Sequence, residues 1–230
     1  MEKILIVDDE SEIADLVEVY LSNEQYEVVK FYNAVEARNY LDENSVDLAI
    51  LDVMMPEIDG LTLCRHIRKK HYFPIIMLTA KVSDTDKIAG LTMGADDYVT
   101  KPFNPLELMA RVKTQLRRFK RYNQEATGND MDEYFIKGLS ISKKNHKCLL
   151  NNSVLNLTPI EFKILLYLCE HQGEVVTSEE LFEAVWEEKY FDSNNTVMAH
   201  IARLREKMNE PARKPQYIKT VWGVGYTIEK

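Results

Sequence analysis

At 230 residues the chain is long for one compact domain and comfortable for two, each able to bury a core of its own. Its composition, 45% hydrophobic and 29% charged, is globular, and no stretch approaches the roughly 18 consecutive apolar residues of a membrane span, which excludes a membrane-spanning helix. A net charge of −8 argues against nucleic-acid binding over the whole chain, but the acidity is uneven: residues 1–122 carry 16 Lys and Arg against 21 Asp and Glu, whereas residues 133–230 carry 13 of each and are free to present a basic face.

The N-terminus, "MEKILIVDD", has neither the charged region nor the cleavage site of a signal peptide, so a cytoplasmic protein is expected. From Lys3 to about Phe119 short apolar runs alternate with helical patterns. "ILIV", "EVVKF", "DLAIL", "PIIML" and "DYVT" predict five strands, and amphipathic stretches such as Glu12 to Leu21 predict five helices. Strict alternation predicts an α/β domain over residues 1–120, a doubly wound five-stranded parallel sheet, because each parallel crossover needs a connecting segment that is usually helical.

Residues 121–132, "RYNQEATGNDMD", are polar and aperiodic and read as a linker. Residues 133–230 change character to α+β. Short strands surround "GLSISKKNHKCLLNNSVLNL", with Lys144-Asn145 and Asn151-Asn152 as turn dipeptides. Three helices follow, two of them opened by the capping boxes Thr158 to Glu161 and Thr177 to Glu180, and the third runs from about Asn195 to Met208. The closing "YIKTVWGVGYTIEK" reads as a hairpin around Gly223 and Gly225, so the segment describes a winged helix-turn-helix. Cys64, Cys148 and Cys169 are odd in number, far apart and without zinc-type spacing, as expected of reduced packing residues.

In a parallel sheet of this kind ligands bind beyond the carboxyl ends of the strands. Asp8 and Asp9 follow the first strand there and Asp52 the third, in "DLAILDVMMPEIDG". Three carboxylates so close repel one another unless a cation shares them, and oxygen donors without His or Cys select a hard ion such as Mg²⁺. Thr79 follows the fourth strand and Lys101-Pro102 the fifth, where a cis peptide bond is expected to be possible. A carboxylate beside Mg²⁺ can attack a phosphoryl group, while a lysine and a hydroxyl hold the product. Asp52 is thereby the group to be modified.

"ILIVDDE", "DLAILDVMMPEIDG", "PIIMLTA" and "GADDYVTKPF" resemble the CheY-like receiver domain of two-component response regulators. "LTPIEFKILLYL" and "YIKTVWGVGYTIEK" resemble the effector domain of the OmpR/PhoB subfamily. Within that subfamily "EIADLVEVYL" and "KTVWGVGYTIEK" are similar to VanR-type regulators of glycopeptide resistance, which implies a VanS-like sensor histidine kinase and cell-wall target genes. The resemblance implies that Asp52 is the phosphoacceptor and that Asp9, Asp52 and the Met54 carbonyl bind the metal, with Asp8 acting partly through water. It further implies that Thr79 and Lys101 bind the phosphoryl group and that the Tyr98 ring turns inward as Thr79 moves. Met54 and Lys81, two residues beyond Asp52 and Thr79, are positioned to screen the phosphoryl group from water, which predicts slow self-dephosphorylation.

The same resemblance implies a homodimer on phosphorylation, with charge pairs Lys87 with Glu107, Asp97 with Arg111 and Asp96 with Arg118 around an apolar centre of Ile88, Leu91 and Val112. Each such pair contributes roughly 0 to 1 kcal/mol at a wet surface, so their role is register. On the third effector helix Val197, Ile201, Leu204 and Met208 form an apolar stripe, and the rest reads as a recognition helix for promoter double-stranded DNA. Matching to the family puts Thr196 and Arg205 near phosphates and Asn195, Met198, Ala202 and Arg203 at the base edge. Thr220 is expected to contact a phosphate. Trp222 stands where many relatives have an arginine, and its indole is expected to pack on the protein's own hairpin in preference to a sugar. "WEEKYFDSN" corresponds to the loop that touches RNA polymerase in related activators. Two other functions remain to be weighed, a receiver whose output is constitutive DNA binding or a protein contact, and a phosphatase with an aspartate nucleophile. The latter needs a second acid two residues after the nucleophile, where this chain has Met54.

Overall fold

The computed structural model describes residues 1–80, 94–124, 133–187, 190, 194–211 and 214–229, with the backbone alone for residues 121–124, 194 and 195. The chain divides into two compact units, Met1–Phe119 and Lys120–Lys230. Among the described residues no helix is long and apolar enough to cross a membrane.

The first unit is a five-stranded sheet in the order β2-β1-β3-β4-β5, formed by β1 (Lys3–Val7), β2 (Glu27–Phe31), β3 (Leu48–Asp52), β4 (Ile75–Thr79) and β5 (Asp97–Thr100). All four pairings are parallel, as the alternating pattern requires. Successive side chains of a strand point to opposite faces, so an all-apolar run feeds two cores at once. Leu5, Val7, Ala49, Leu51, Ile75 and Met77 pack on one face with Ala37 and Leu41 of α2 (Ala34–Glu43) and Leu63 and Ile67 of α3 (Gly60–Ile67). Ile4, Ile6, Leu48, Ile50, Ile76 and Leu78 pack on the other with Val17 and Leu21 of α1 (Ser11–Asn23) and Leu108 and Val112 of α4 (Pro105–Gln124). The helix expected between β4 and β5 lies outside the described residues, and with it Lys81, Lys87, Ile88 and Leu91. Helix α4 continues through Gln124, into the expected linker, because "RRFKRYNQ" contains no Gly or Pro to stop it.

Two local devices fix the end of β3. Asp59 caps α3 by accepting the Thr62 amide at 2.6 Å. Gly60 lets this helix start lie against the strand, since a Cβ there would sit 1.9 Å from the Asp52 carbonyl oxygen.

The second unit opens with an antiparallel sheet of β6 (Glu133–Ile136), β7 (Leu139–Ser142), β8 (Lys147–Leu150) and β9 (Ser153–Val154). Asn151 and Asn152 turn between β8 and β9 at φ of 50° and 65°, the left-handed pair that asparagine tolerates. Helices α5 (Pro159–Glu170), α6 (Ser178–Trp186) and α7 (Asn194–Lys207) follow, and both expected capping boxes are present, at Thr158 with Glu161 and Thr177 with Glu180. The chain closes with β11 (Ile218–Val221) and β12 (Gly225–Ile228), and β12 lies between β11 and β10 (Val176–Thr177). Phe162, Leu165, Leu181, Val185, Ile201, Leu204 and Ile218 belong to one continuous core. The architecture is the predicted α/β receiver followed by a winged helix-turn-helix.

Candidate functional site

The carboxyl ends of β1, β3, β4 and β5 bring Asp8, Asp52, Thr79 and Lys101 to one edge of the sheet. Asp8 and Asp52 are 0% and 2% exposed and Asp9 is exposed, yet one carboxylate oxygen of each falls within 4.8 Å of the others. Lys101 Nζ lies 2.9 Å from Asp8 Oδ2 and 3.2 Å from Asp52 Oδ1. It also meets Glu10 Oε1 at 3.0 Å, a partner that the sequence pattern does not single out although Glu10 directly follows the two aspartates. The Glu10 amide in turn donates to Asp8 Oδ1 at 3.0 Å. Thr79 is buried, and its carbonyl accepts the Lys101 amide at 2.7 Å, just before the cis Lys101-Pro102 bond.

Burial pushes the Asp52 carboxyl above its ordinary range, and the charge of Asp9 adds to this while Lys101 and the Met54 amide pull it back. Asp8 is raised likewise, by burial first and then by Asp52, against Lys101. Lys101 is desolvated too, but its bonds to Asp8 and Glu10 outweigh that and raise it. The site is therefore short of positive charge. Its oxygen-only donors fit a hard divalent cation, and the Met54 side chain at its edge is 54% exposed. Tyr98 is half-buried and packs with the core on the α2 and α3 side of the sheet.

The expected dimer residues divide into two groups. Arg111 Nη1 is 3.1 Å from both Asp97 oxygens, while its Nε and Nη2 reach Glu107 Oε1 at 3.1 and 3.0 Å, so these three already pair within one chain. Asp96 and Arg118 are instead each 1% exposed, which corrects their reading as surface charges. Asp96 turns inward because Arg68 Nη2 holds it at 2.6 Å and the Ile75 amide donates to it at 2.8 Å. Arg68, which no sequence motif marks, also donates to the carbonyls of Phe73 and Gly94, at 2.7 Å each.

In the second unit Val197, Ile201, Leu204 and Met208 are buried as the stripe predicts. Met198 and Ala202 are exposed and Thr196 is half-buried; the side chain of Asn195 lies outside the described residues. Arg203, expected at the base edge, is not there. It is 4% exposed and its Nη2 lies 2.9 Å from Glu161 Oε1, because the buried glutamate of the capping box demands a cation. Ala199 is likewise buried, so α7 turns a wider face inward than its four apolar residues mark out.

Arg205 and Thr220, both expected at phosphates, are joined: Arg205 Nη2 donates to Thr220 Oγ1 at 2.8 Å and to the Ile218 carbonyl at 2.7 Å. Trp222 does not pack on its own hairpin but is 89% exposed, beside Gly223 with its φ of 75°. A cleft of about 470 Å³ runs between this hairpin, Met198 of α7 and Thr177 to Glu179 at the start of α6. Of "WEEKYFDSN" the residues Trp186, Glu187 and Tyr190 and the Asn194 backbone are described, and the Tyr190 ring meets Phe182 edge-on at 5.6 Å.

A strand-end aspartate pocket joined to a winged helix defines a response regulator, and comparison with known proteins agrees. Residues 4–113 match the family model for the response regulator receiver domain and residues 152–228 that for the C-terminal domain of transcriptional regulatory proteins. The chain belongs to the two-component response regulators of the OmpR/PhoB type, and within them to the VanR-type regulatory proteins. It is 62% identical over 229 residues to the regulatory protein VanRc of Enterococcus gallinarum and 58% identical over 230 residues to the regulatory protein VanR of Enterococcus faecium, covering 100% of this chain and 99% of each relative. A solved structure of a RitR mutant is similar over the whole of both chains, with 26% identity and a TM-score of 0.76.

Proposed function

We propose that this chain is a phosphorylation-switched transcription activator of the cytoplasm and not an enzyme. Asp52 accepts a phosphoryl group from a VanS-like sensor histidine kinase: a carboxylate oxygen bonds to phosphorus as the P–N bond to the kinase imidazole breaks, and the imidazole takes up a proton. The observation that carries this reading is the buried Asp52 at a strand end, 3.2 Å from Lys101 and with Asp8 and Asp9 oxygens within 4.8 Å. Asp9, Asp52 and the Met54 carbonyl, with Asp8 through water, would hold Mg²⁺, which when bound neutralises charge on the phosphoryl oxygens. Lys101 exchanges a carboxylate for a phosphoryl oxygen, the Thr79 hydroxyl donates to another, and Tyr98 follows Thr79 inward. Met54 screens the product from water together with Lys81.

Residues 1–120 then dimerise through the face that carries Lys87, Glu107, Asp97 and Arg111. The intrachain pairs of Arg111 support this, because the pair with the exposed Glu107 costs little to exchange with that of a second copy. Asp96 and Arg118 act in this reading as buried supports of that face. The expected linker, residues 121–132, whose first four residues continue α4, tethers a DNA-binding domain of residues 133–230. Two such domains bind direct repeats in promoter DNA, with Thr196, Arg205 and Thr220 on phosphates, Asn195, Met198 and Ala202 at base edges and Trp222 at the wing tip. RNA polymerase meets the loop before α7. The similarity to VanR and VanRc supports genes of glycopeptide resistance as targets.

The test is sedimentation of the full chain and of Asp52→Ala with Mg²⁺, with and without acetyl phosphate, alongside binding to candidate promoter fragments. A donor-dependent shift to dimer and tighter DNA binding, both lost in the variant, are expected. Equal binding in all four samples would refute control through Asp52.

A further inference from the structure

Among the described residues Glu161 is the only acid of the second unit at 0% exposure, and it stands one turn into α5. Its carboxylate is aimed before α7 touches it, because Oε2 accepts the Thr158 amide at 2.8 Å in the capping box. Two cations of α7 meet it from consecutive turns. Arg203 Nη2 lies 2.9 Å from Oε1 and Lys207 Nζ 2.6 Å from Oε2, and Lys207 also donates to the Asn156 carbonyl at 3.0 Å. On the same row of α7, His200 is 0% exposed and its ring is 5.3 Å from that of Trp186.

We infer that Glu161 is a positioning residue for DNA recognition: through Arg203 and Lys207 it fixes the rotation of α7 about its axis and so decides which side chains face the DNA. The inference rests on the reading of α7 as the recognition helix. Apolar contacts tolerate sliding, whereas contacts at 2.6–2.9 Å do not. At a side-chain radius of about 5–6 Å, a rotation of roughly 20° moves a side chain by about 2 Å, which breaks either ion pair. With about 100° per residue, Met198, Ala202 and Arg205 fall within about 60° of one another and roughly 100–160° from Arg203. Holding Arg203 inward therefore turns the exposed Met198 and Ala202 outward and brings Arg205 to the wing at Ile218 and Thr220. Base-edge contacts depend on hydrogen-bond and methyl geometry and lose discrimination when the helix turns, while phosphate contacts are far more tolerant.

The experiment starts by selecting a duplex from a random library with the wild-type full chain, then compares its affinity with that for a scrambled duplex. The wild type, Lys207→Met and a triple apolar replacement (Glu161→Met, Arg203→Met, Lys207→Met) are measured side by side, with thermal unfolding of each. A purely stabilising network can be replaced by apolar residues without loss of order. A positioning role predicts that the triple variant keeps scrambled-duplex binding within about twofold while the selected-to-scrambled ratio falls at least about tenfold, and that Lys207→Met lowers the ratio about threefold. A ratio unchanged in Lys207→Met, or in a folded triple variant, overturns the proposal. A wild type that selects no preferred sequence overturns the DNA reading instead, and the proposal with it.

Discussion

In the receiver unit the buried Asp8 and Asp52 share Lys101 with Glu10, whereas in the effector unit the buried Glu161 is met by two cations, Arg203 and Lys207. Burial pushes all three buried carboxyls up. At Glu161 the two cations overturn that and bring it down to about 2, while Lys101 leaves Asp8 and Asp52 above their ordinary value. The same interaction thus serves opposite ends. A buried carboxylate with surplus cations is a structural joint, and buried carboxylates short of cations are a site that gains from binding a metal.

Removing the charge should therefore have opposite signs in the two places. Glu161→Gln leaves Arg203 buried without its anion and should destabilise the effector unit by about 3–5 kcal/mol. Urea unfolding followed by tryptophan emission isolates this unit, because both tryptophans, Trp186 and Trp222, lie in it. A loss below about 1 kcal/mol would remove the contrast. Acid titrates the same joint. The folded carboxyl sits at about 2 against an ordinary 4.5, so its contribution is complete above pH 4.5 and is lost as the pH falls toward 2. On the order of 3 kcal/mol should disappear over that window, and the profile of Glu161→Gln should be flatter by that amount.

At the receiver pocket neutralisation should instead stabilise. Asp52→Asn relieves crowding of carboxylates and should raise the stability of this unit by about 1 kcal/mol without added metal, as calorimetry can measure. Mg²⁺ should raise the melting temperature of the wild type and leave that of the variant nearly unchanged, because ligand binding stabilises only the state that binds. A variant less stable than the wild type without metal would show that Lys101 already balances the pocket.

The sheet is legible in the sequence because its apolar runs are short and regularly separated, three of them almost wholly apolar, and the pocket because Asp8, Asp9, Asp52, Thr79 and Lys101 each stand at the end of a strand or just beyond it. Both capping boxes are legible from four residues apiece. Side-chain direction on half-buried surfaces is not. Asp96 reads as a surface charge by resemblance to the family, yet Arg68, 28 residues away, draws it inward. Arg203 reads as a DNA contact because the apolar stripe of α7 looks narrow. Only the identity of its partner, a glutamate already visible as a cap, 42 residues earlier in the chain, reveals the face toward α5. The linker boundary slips because polarity there resembles irregularity, although the lysines and arginines before Gly128 favour helix.

The smallest expected effect concerns Trp222, which reverses the pattern of Arg203: a cation withdrawn into the domain, an indole left 89% exposed. With Arg203 paired and Arg205 bound to the wing at Ile218 and Thr220, the DNA-facing surface is less cationic than its sequence suggests. An indole at the wing tip can gain affinity by apolar contact with sugars and base edges, which releases no counterions. Trp222→Ala should therefore weaken DNA binding about threefold to tenfold and leave the slope of log affinity against log salt unchanged. Trp222→Arg should steepen that slope by about 0.9, the value for one added phosphate contact. Fluorescence anisotropy across a salt series separates the two, since an alanine variant with a shallower slope would mean that Trp222 holds a cation at the DNA and does not itself make the contact.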